Sequence, residues 1–174
     1  MINEILSHSI RFLFLLIVQL FLLDHLDIAD GMIVPYIYIL FLLMLPFNMT
    51  NSSLMLVGFA TGFIVDIFSN TLGMHASACV LITFLRPYVL RSISPRDGYE
   101  FGLVPRVQQM GFGWFLTYVG LMVFIHHLWL FFVEVYTMDR FLQTLLRVMM
   151  SSAFTVLLCL LAQFLSFSPR KSRS

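Results

Sequence analysis

Charged residues are scarce in this chain, which excludes most classes of soluble protein. Its 174 residues include 10 Lys or Arg and 9 Asp or Glu, so 11% are charged, against roughly 25% in an ordinary soluble domain. So few charges cannot cover a surface exposed to water. The formal net charge of +1 also leaves no basic face able to follow phosphates, so we expect no nucleic-acid binding.

Cysteine is also rare, and the patterns typical of metal sites and catalytic sites are missing. Cys79 and Cys159 both lie in apolar runs, so neither a disulfide framework nor a Cys-based zinc site is indicated. His126 and His127 are adjacent, so they point in different directions on a helix, and no Cys or carboxylate lies four residues away. We interpret them as interfacial histidines and expect no metal, no cofactor and no enzymatic activity.

Long apolar runs fill the chain instead. It is 60% hydrophobic with 19 Phe, and its mean hydropathy is +0.93. The runs lack the alternation of a β-barrel and predict an all-α fold: a single integral membrane domain, 1–174, with a bundle of about six transmembrane helices. The short second and third runs could instead form a re-entrant pair. The first run resembles a secretory signal, but no small-residue cleavage site follows it, so we expect it to be retained. The candidate spans are 5–23, 32–47, 53–68, 74–90, 111–133 and 141–167.

Basic residues predict the orientation of the chain. If the N-terminus is cytoplasmic, seven Lys or Arg lie on the cytoplasmic side, including Arg11 at the cytoplasmic end of the first span, whereas Arg140 alone lies in an outer loop. Arg86 and Arg147, within spans, complete the total of 10. This asymmetry, together with an even number of spans, predicts that both the N- and C-termini are cytoplasmic in a multi-pass protein.

Asp66 is the one acidic residue clearly inside a predicted span. Gly58, Gly62 and Asp66 are four residues apart and therefore share one helix face. The glycines would allow close approach of another helix, and Asp66 would lie near the outer end of that face. A buried charge is costly, so we expect a partner at the same depth: His75 or Arg147.

Arg86 is not expected to be that partner. It lies about 15 residues past the turn between the third and fourth spans, which places it near the cytoplasmic surface. The simplest interpretation is that Arg86, directly before Pro87, extends its guanidinium to the lipid headgroups.

One segment resembles a known family. Its sequence is Gly58-Phe-Ala-Thr-Gly62-Phe-Ile-Val-Asp66-Ile-Phe-Ser-Asn-Thr-Leu-Gly73-Met-His75-Ala, and it resembles the central motif of the rod shape-determining protein MreD family. In that family a Gly-x-x-x-Gly-x-x-x-Asp run precedes a Gly- and His-containing turn that opens the next helix. Length, span count, an acidic first outer loop and a short basic tail also agree.

The resemblance implies a non-enzymatic component of the bacterial inner (cytoplasmic) membrane that acts in cell elongation. It implies association with an MreC-like protein and, through it, with the MreB-like filament. RodA-like and transpeptidase components of peptidoglycan synthesis would belong to the same complex. By carry-over, Gly58, Gly62, Asp66 and Gly73 match the motif, and Asp66 would make any contact important for that complex.

Two functional hypotheses follow. In the first, the bundle is a scaffold that docks the membrane helix of a partner against its small-residue face, with Asp66 fixing the geometry. In the second, the chain is a small-molecule (vitamin-like) substrate-binding subunit of a membrane transporter, a class whose six-helix fold the MreD family is thought to share. The apolar run of the first span, Phe12–Leu23, contains no Ala or Gly with which such subunits dock their coupling subunit, and this favours the scaffold.

Overall fold

The computed structural model describes residues 2–26, 28–96, 98–99, 104–136 and 140–165, and within these ranges the chain is helical, with no β-strand. The predicted all-α class is confirmed for this part of the chain. A 3₁₀ turn, Leu23–His25, follows the first helix, and one isolated β-bridge joins Ile28 and Ile33. The helices are α1 (Ile2–Phe21), α2 (Ile39–Leu43), α3 (Asn51–Ser69), α4 (Met74–Ser92), α5 (Val107–Met110), α6 (Phe112–Val135) and α7 (Phe141–Leu165).

Three of these helices, α3, α6 and α7, are long and apolar enough to cross a membrane. They contain 19, 24 and 25 residues, close to the length that spans a hydrocarbon core of about 30 Å. Helices α1 and α4 are similarly long, with 20 and 19 residues. The composition and these helices together indicate a membrane protein.

The second predicted span, 32–47, differs from the prediction because it is not a continuous helix. Only α2 is helical within it, and Pro35 and Pro46 lie before and after this short helix. Proline lacks an N–H and disfavours helical geometry in the residue before it, which explains the interruptions. We call residues 34–46 the core segment. Every side chain from Tyr36 to Leu45 in it is buried.

Polar side chains of the surrounding helices bond the irregular backbone at the beginning of the core segment. Ser151 and Thr155 of α7 accept hydrogen bonds from the N–H groups of Val34 (2.9 Å) and Tyr36 (3.1 Å). Gln19 of α1 accepts from the Ile37 N–H at 2.8 Å. Irregular backbone at membrane depth is stable only when the protein itself supplies such partners.

Arg86 supplies hydrogen bonds to the irregular backbone at the other end of the core segment. Its guanidinium donates to the carbonyls of Leu45 and Pro46, and its Nε donates to the Tyr118 hydroxyl at 2.9 Å. The Tyr118 hydroxyl donates in turn to the Leu43 carbonyl at 3.1 Å. Arg86 is 1% exposed, so the interpretation that it extends to the headgroups is wrong: free carbonyls inside the bundle bind it instead.

Helices α3 and α4 form an antiparallel hairpin whose contact surface contains Gly58 and Gly62. A Cβ atom on Gly62 would lie 2.5 Å from the Ala76 Cα and the His75 carbonyl oxygen, both backbone atoms of α4. A Cβ atom on Gly58 would lie 2.6 Å from the Thr83 Oγ1. The two helices therefore approach as closely as glycine allows.

We predict that Gly62→Ala lowers the free energy of unfolding by roughly 1–3 kcal/mol, because the added methyl group meets backbone that cannot move alone. The control is Gly120→Ala in α6, where an added Cβ has no atom within 4 Å and the helix gains up to about 1 kcal/mol. Thermal unfolding of the purified protein in detergent measures both. Equal unfolding temperatures for the two variants would contradict the close contact.

Candidate functional site

Asp66 lies at the end of α3 and caps the beginning of α4. Its Oδ1 accepts hydrogen bonds from the His75 N–H (3.0 Å) and the Thr71 hydroxyl (2.5 Å), and its Oδ2 accepts from the Ala76 N–H (2.9 Å). The side chain is 5% exposed. Both oxygens of the Asp66 side chain therefore accept hydrogen bonds from donors within the same hairpin.

The local sequence explains why α4 needs this cap from another helix. The first N–H groups of a helix have no intrahelical acceptor, and the residue before α4 is Gly73, which has no side chain to supply one. Gly73 adopts a φ of +80°, a left-handed conformation that turns the chain back towards α3. The Asp66 carboxylate replaces the missing cap and is stabilised by the positive end of the helix dipole.

The expected partners of Asp66 are thus confirmed only in part. His75 is a partner, but through its backbone N–H rather than its imidazole. Arg147 is not a partner: it forms an ion pair with Glu134 at 3.0 Å and lies 4.3 Å from the centre of the Phe131 ring. Arg86 does not contact Asp66, as expected.

The small-residue face is covered by α4 of the same chain. Gly58 and Gly62, the residues predicted to receive another helix, contact Thr83 and the His75–Ala76 backbone. The face is therefore an internal contact and is not available to the helix of a partner.

A buried cluster of tyrosine and histidine lies next to this hairpin. The Tyr38 hydroxyl is 2.9 Å from both the His75 Nδ1 and the His126 Nε2. Because a hydroxyl donates one hydrogen, one imidazole accepts from Tyr38 and the other donates to it. The Nδ1 of His126 is buried without a hydrogen-bond partner.

His127 belongs to the same cluster, because its ring contacts the rings of Tyr36 and His126. Its Nδ1 faces the Val123 carbonyl at 2.9 Å and must therefore carry the hydrogen. Its Nε2 then accepts from the Thr155 hydroxyl at 3.1 Å, while the same oxygen accepts from the Tyr36 N–H. Both His126 and His127 are 0% exposed, so the interpretation of interfacial histidines is wrong.

A cavity of about 590 Å³ opens beside this cluster, at the end of the bundle where α3 ends and α4 begins. Its polar lining includes two carboxylates, of which Glu134 is paired with Arg147. The other, Asp24, accepts from the Gln19 amide (2.6 Å) and the Ser69 hydroxyl (3.3 Å). A cavity with apolar walls and a few converging polar groups is typical of small-molecule sites. The lining residues are Leu20, Phe21, Asp24, His25, Val34, Tyr36, Phe68, Ser69, Thr71, Met74, His75, Leu130 and Glu134.

The histidines and carboxylates of this region are also candidate metal ligands by residue type. Among the described residues, no group of three or more His, Cys, Asp or Glu has the arrangement of a metal site. The histidines are held by hydroxyl and carbonyl groups of the chain instead.

Sequence reasoning missed the core segment and the cluster, although a signal for both was present. Ser151, Thr155, Cys159 and Gln163 recur every four residues along α7, and all four are buried. Such a stripe marks the face of a membrane helix that lies against polar groups inside the bundle.

Comparison with known proteins finds no matching family model, no matching curated protein and no matching solved structure. The resemblance to the MreD family therefore depends on the motif residues themselves. The structure brings them together in one hairpin: Gly58 and Gly62 at the helix contact, Asp66 and Gly73 at the cap, and His75 at the junction with the tyrosine cluster.

We predict that Asp66→Asn lowers the free energy of unfolding by about 1–3 kcal/mol, because the new NH₂ group faces a backbone N–H of α4 and leaves it unsatisfied. Asp30→Asn, at an exposed position, is the matched control and should change it by less than about 0.5 kcal/mol. Thermal unfolding in detergent measures the difference. An unfolding temperature of the Asp66 variant equal to that of the control would contradict the cap.

We predict that Tyr38→Phe is also destabilising, by about 1–3 kcal/mol, because two buried imidazole nitrogens lose their shared partner. Tyr88→Phe, which removes a hydroxyl from a side chain that is 53% exposed, is the control. The same unfolding measurement applies. If the two tyrosine variants unfold alike, the hydrogen bonds of Tyr38 to His75 and His126 are not formed.

Proposed function

We propose that this protein is a non-enzymatic scaffold of the bacterial cell-elongation complex, similar in role to MreD. The observation that carries the proposal is the hairpin of α3 and α4. Each residue through which the chain resembles the family has a defined role in that hairpin, in helix contact, capping or the turn. The resemblance thus concerns a complete structural unit, and a rigid unit of this kind suits a protein that positions others.

We propose a multi-pass protein of the inner membrane with both termini in the cytoplasm. The arrangement of the core segment supports this topology. Its beginning, at Val34, lines the large cavity with residues at the end of α3, whereas Met44 lies with Gln163 near the end of α7. The core segment thus connects the two ends of the bundle, as a second span would, and the total number of crossings stays even.

The proposed partners follow from the resemblance: an MreC-like protein, through it the MreB-like filament, and the RodA-like and transpeptidase components. Because the small-residue face is internal, we place the contact with the MreC-like protein on an apolar face that points out of the bundle. One such face is on α1, where Leu13, Phe14, Ile17 and Phe21 are exposed. A partner helix could pack there, in place of lipid.

The second candidate function is small-molecule binding, as in the substrate-binding subunits of membrane transporters. The cavity of about 590 Å³ favours it, since it has the size and mixed lining of a ligand site. Mass spectrometry of the purified protein tests it directly. A stoichiometric small molecule released on denaturation would favour this function over the scaffold.

For the scaffold, we predict that depletion of the protein in its rod-shaped host makes cells round, and that the wild type and Gly120→Ala restore the rod shape. Asp66→Ala should fail to restore it, because the hairpin loses its cap. In detergent extracts, the MreC-like protein should co-purify with the wild type and with Gly120→Ala.

Two results would contradict the scaffold. One is a normal rod shape after depletion. The other is the absence of the MreC-like protein from extracts in which the wild-type protein is folded and abundant.

A further inference from the structure

Two arginines meet at the opposite end of the bundle from the large cavity. Arg11 of α1 and Arg106, directly before α5, line a small cavity of about 80 Å³. Met44, Gln108 and Gln163 complete the lining. None of these five residues is acidic, so the cavity has two positive charges and no counter-charge of its own.

Both arginines are half-buried, and their guanidinium groups lack the acceptors that such side chains normally have. Among the described residues, none accepts a hydrogen bond from either group or forms an ion pair with it. The Nη1 of Arg11 and the Nε of Arg106 are buried without a hydrogen-bond partner, and both side chains line the same small cavity. A buried donor without an acceptor is unfavourable, and repulsion between two guanidinium charges in one cavity adds to that cost. A bound anion would remove both penalties.

We propose that this cavity binds a phosphate group. Guanidinium presents a planar fork of donors that matches the oxygens of phosphate, and two forks from different parts of the chain can bind a tetrahedral group from two sides. The volume equals that of about two or three water molecules, enough for one such group. The Gln108 and Gln163 amides provide neutral polar groups at the edge of the same cavity.

The position of the cavity favours the headgroup of an anionic lipid as the source of the phosphate. An aromatic cluster of Phe47, Tyr99 and Trp114 lies near the ends of α4 and the core segment and the beginning of α6. Tyr99 and Trp114 donate to the carbonyls of Leu90 and Ile93. Burial raises the pKa of Tyr99, which keeps its hydroxyl protonated as a donor. Tyr and Trp concentrate at the membrane surface, and basic pockets between helices at that level bind lipid headgroups.

Native mass spectrometry tests the proposal with protein purified in detergent and supplied with phosphatidylglycerol. We expect the wild type to retain the lipid, and Arg11→Gln and Arg106→Gln to retain roughly tenfold less, since each loses a charged fork. Arg96→Gln, an exposed arginine in the loop after α4, is the matched control and should retain as much as the wild type.

Inorganic phosphate, added without lipid, distinguishes the two sources. If phosphate raises the unfolding temperature of the wild type but not of Arg106→Gln, the site also accepts free phosphate. If only phosphatidylglycerol raises the unfolding temperature of the wild type, the site is specific for the lipid headgroup. Both results support the proposal.

A second measurement covers the case in which the glutamine variants fold poorly. Arg106→Lys keeps the charge but loses the fork, so it should fold and still retain less phosphatidylglycerol than the wild type. Equal retention by the wild type, both Arg106 variants and Arg11→Gln, with no phosphate effect on unfolding, would overturn the proposal. The proposed scaffold function does not depend on this outcome.

Discussion

The carboxylate of Asp66 determines how α3 and α4 meet, and the interior of the bundle depends on that contact. It supplies the acceptors that Gly73 cannot, and so sets the first turn of α4 against the end of α3. The glycine contact then keeps the two helices close along their length. Because α4 is placed in this way, His75 reaches Tyr38 and Arg86 reaches the carbonyls of the core segment.

The core segment explains why such an apolar protein buries so many polar side chains. A continuous helix would satisfy its own backbone, but this segment has five helical residues between two prolines. Its N–H groups and carbonyls need partners from α1, α4, α6 and α7, and these helices supply Gln, Arg, Tyr, Ser and Thr at the required positions. The two ends of the bundle then differ: one has a large cavity with carboxylates, and the other has a small cavity with arginines.

The sequence predicted the parts of the fold that depend on periodic apolar residues, and it missed those that depend on contacts distant in sequence. The helical class and the shared face of Gly58, Gly62 and Asp66 follow from composition and spacing. Depth in the membrane predicts His75 or Arg147 as the partner of Asp66, and only His75 is one. Depth does not reveal that the donor is a backbone N–H, because the need for a cap arises only from the turn at Gly73. The sequence predicts a contact of Arg86 with the lipid headgroups, because nothing in its local sequence reveals the carbonyls of Leu45 and Pro46, about 40 residues earlier.

Amide hydrogen exchange of the first turn of α4 tests the central claim most directly. The His75 and Ala76 amides should exchange at least about tenfold more slowly than those of Gly113 and Trp114, which occupy the same positions in α6 behind a glycine with no side-chain cap. NMR of labelled protein in nanodiscs resolves these amides. Exchange at equal rates in the two helices would show that Asp66 does not hold the beginning of α4, and would contradict the account.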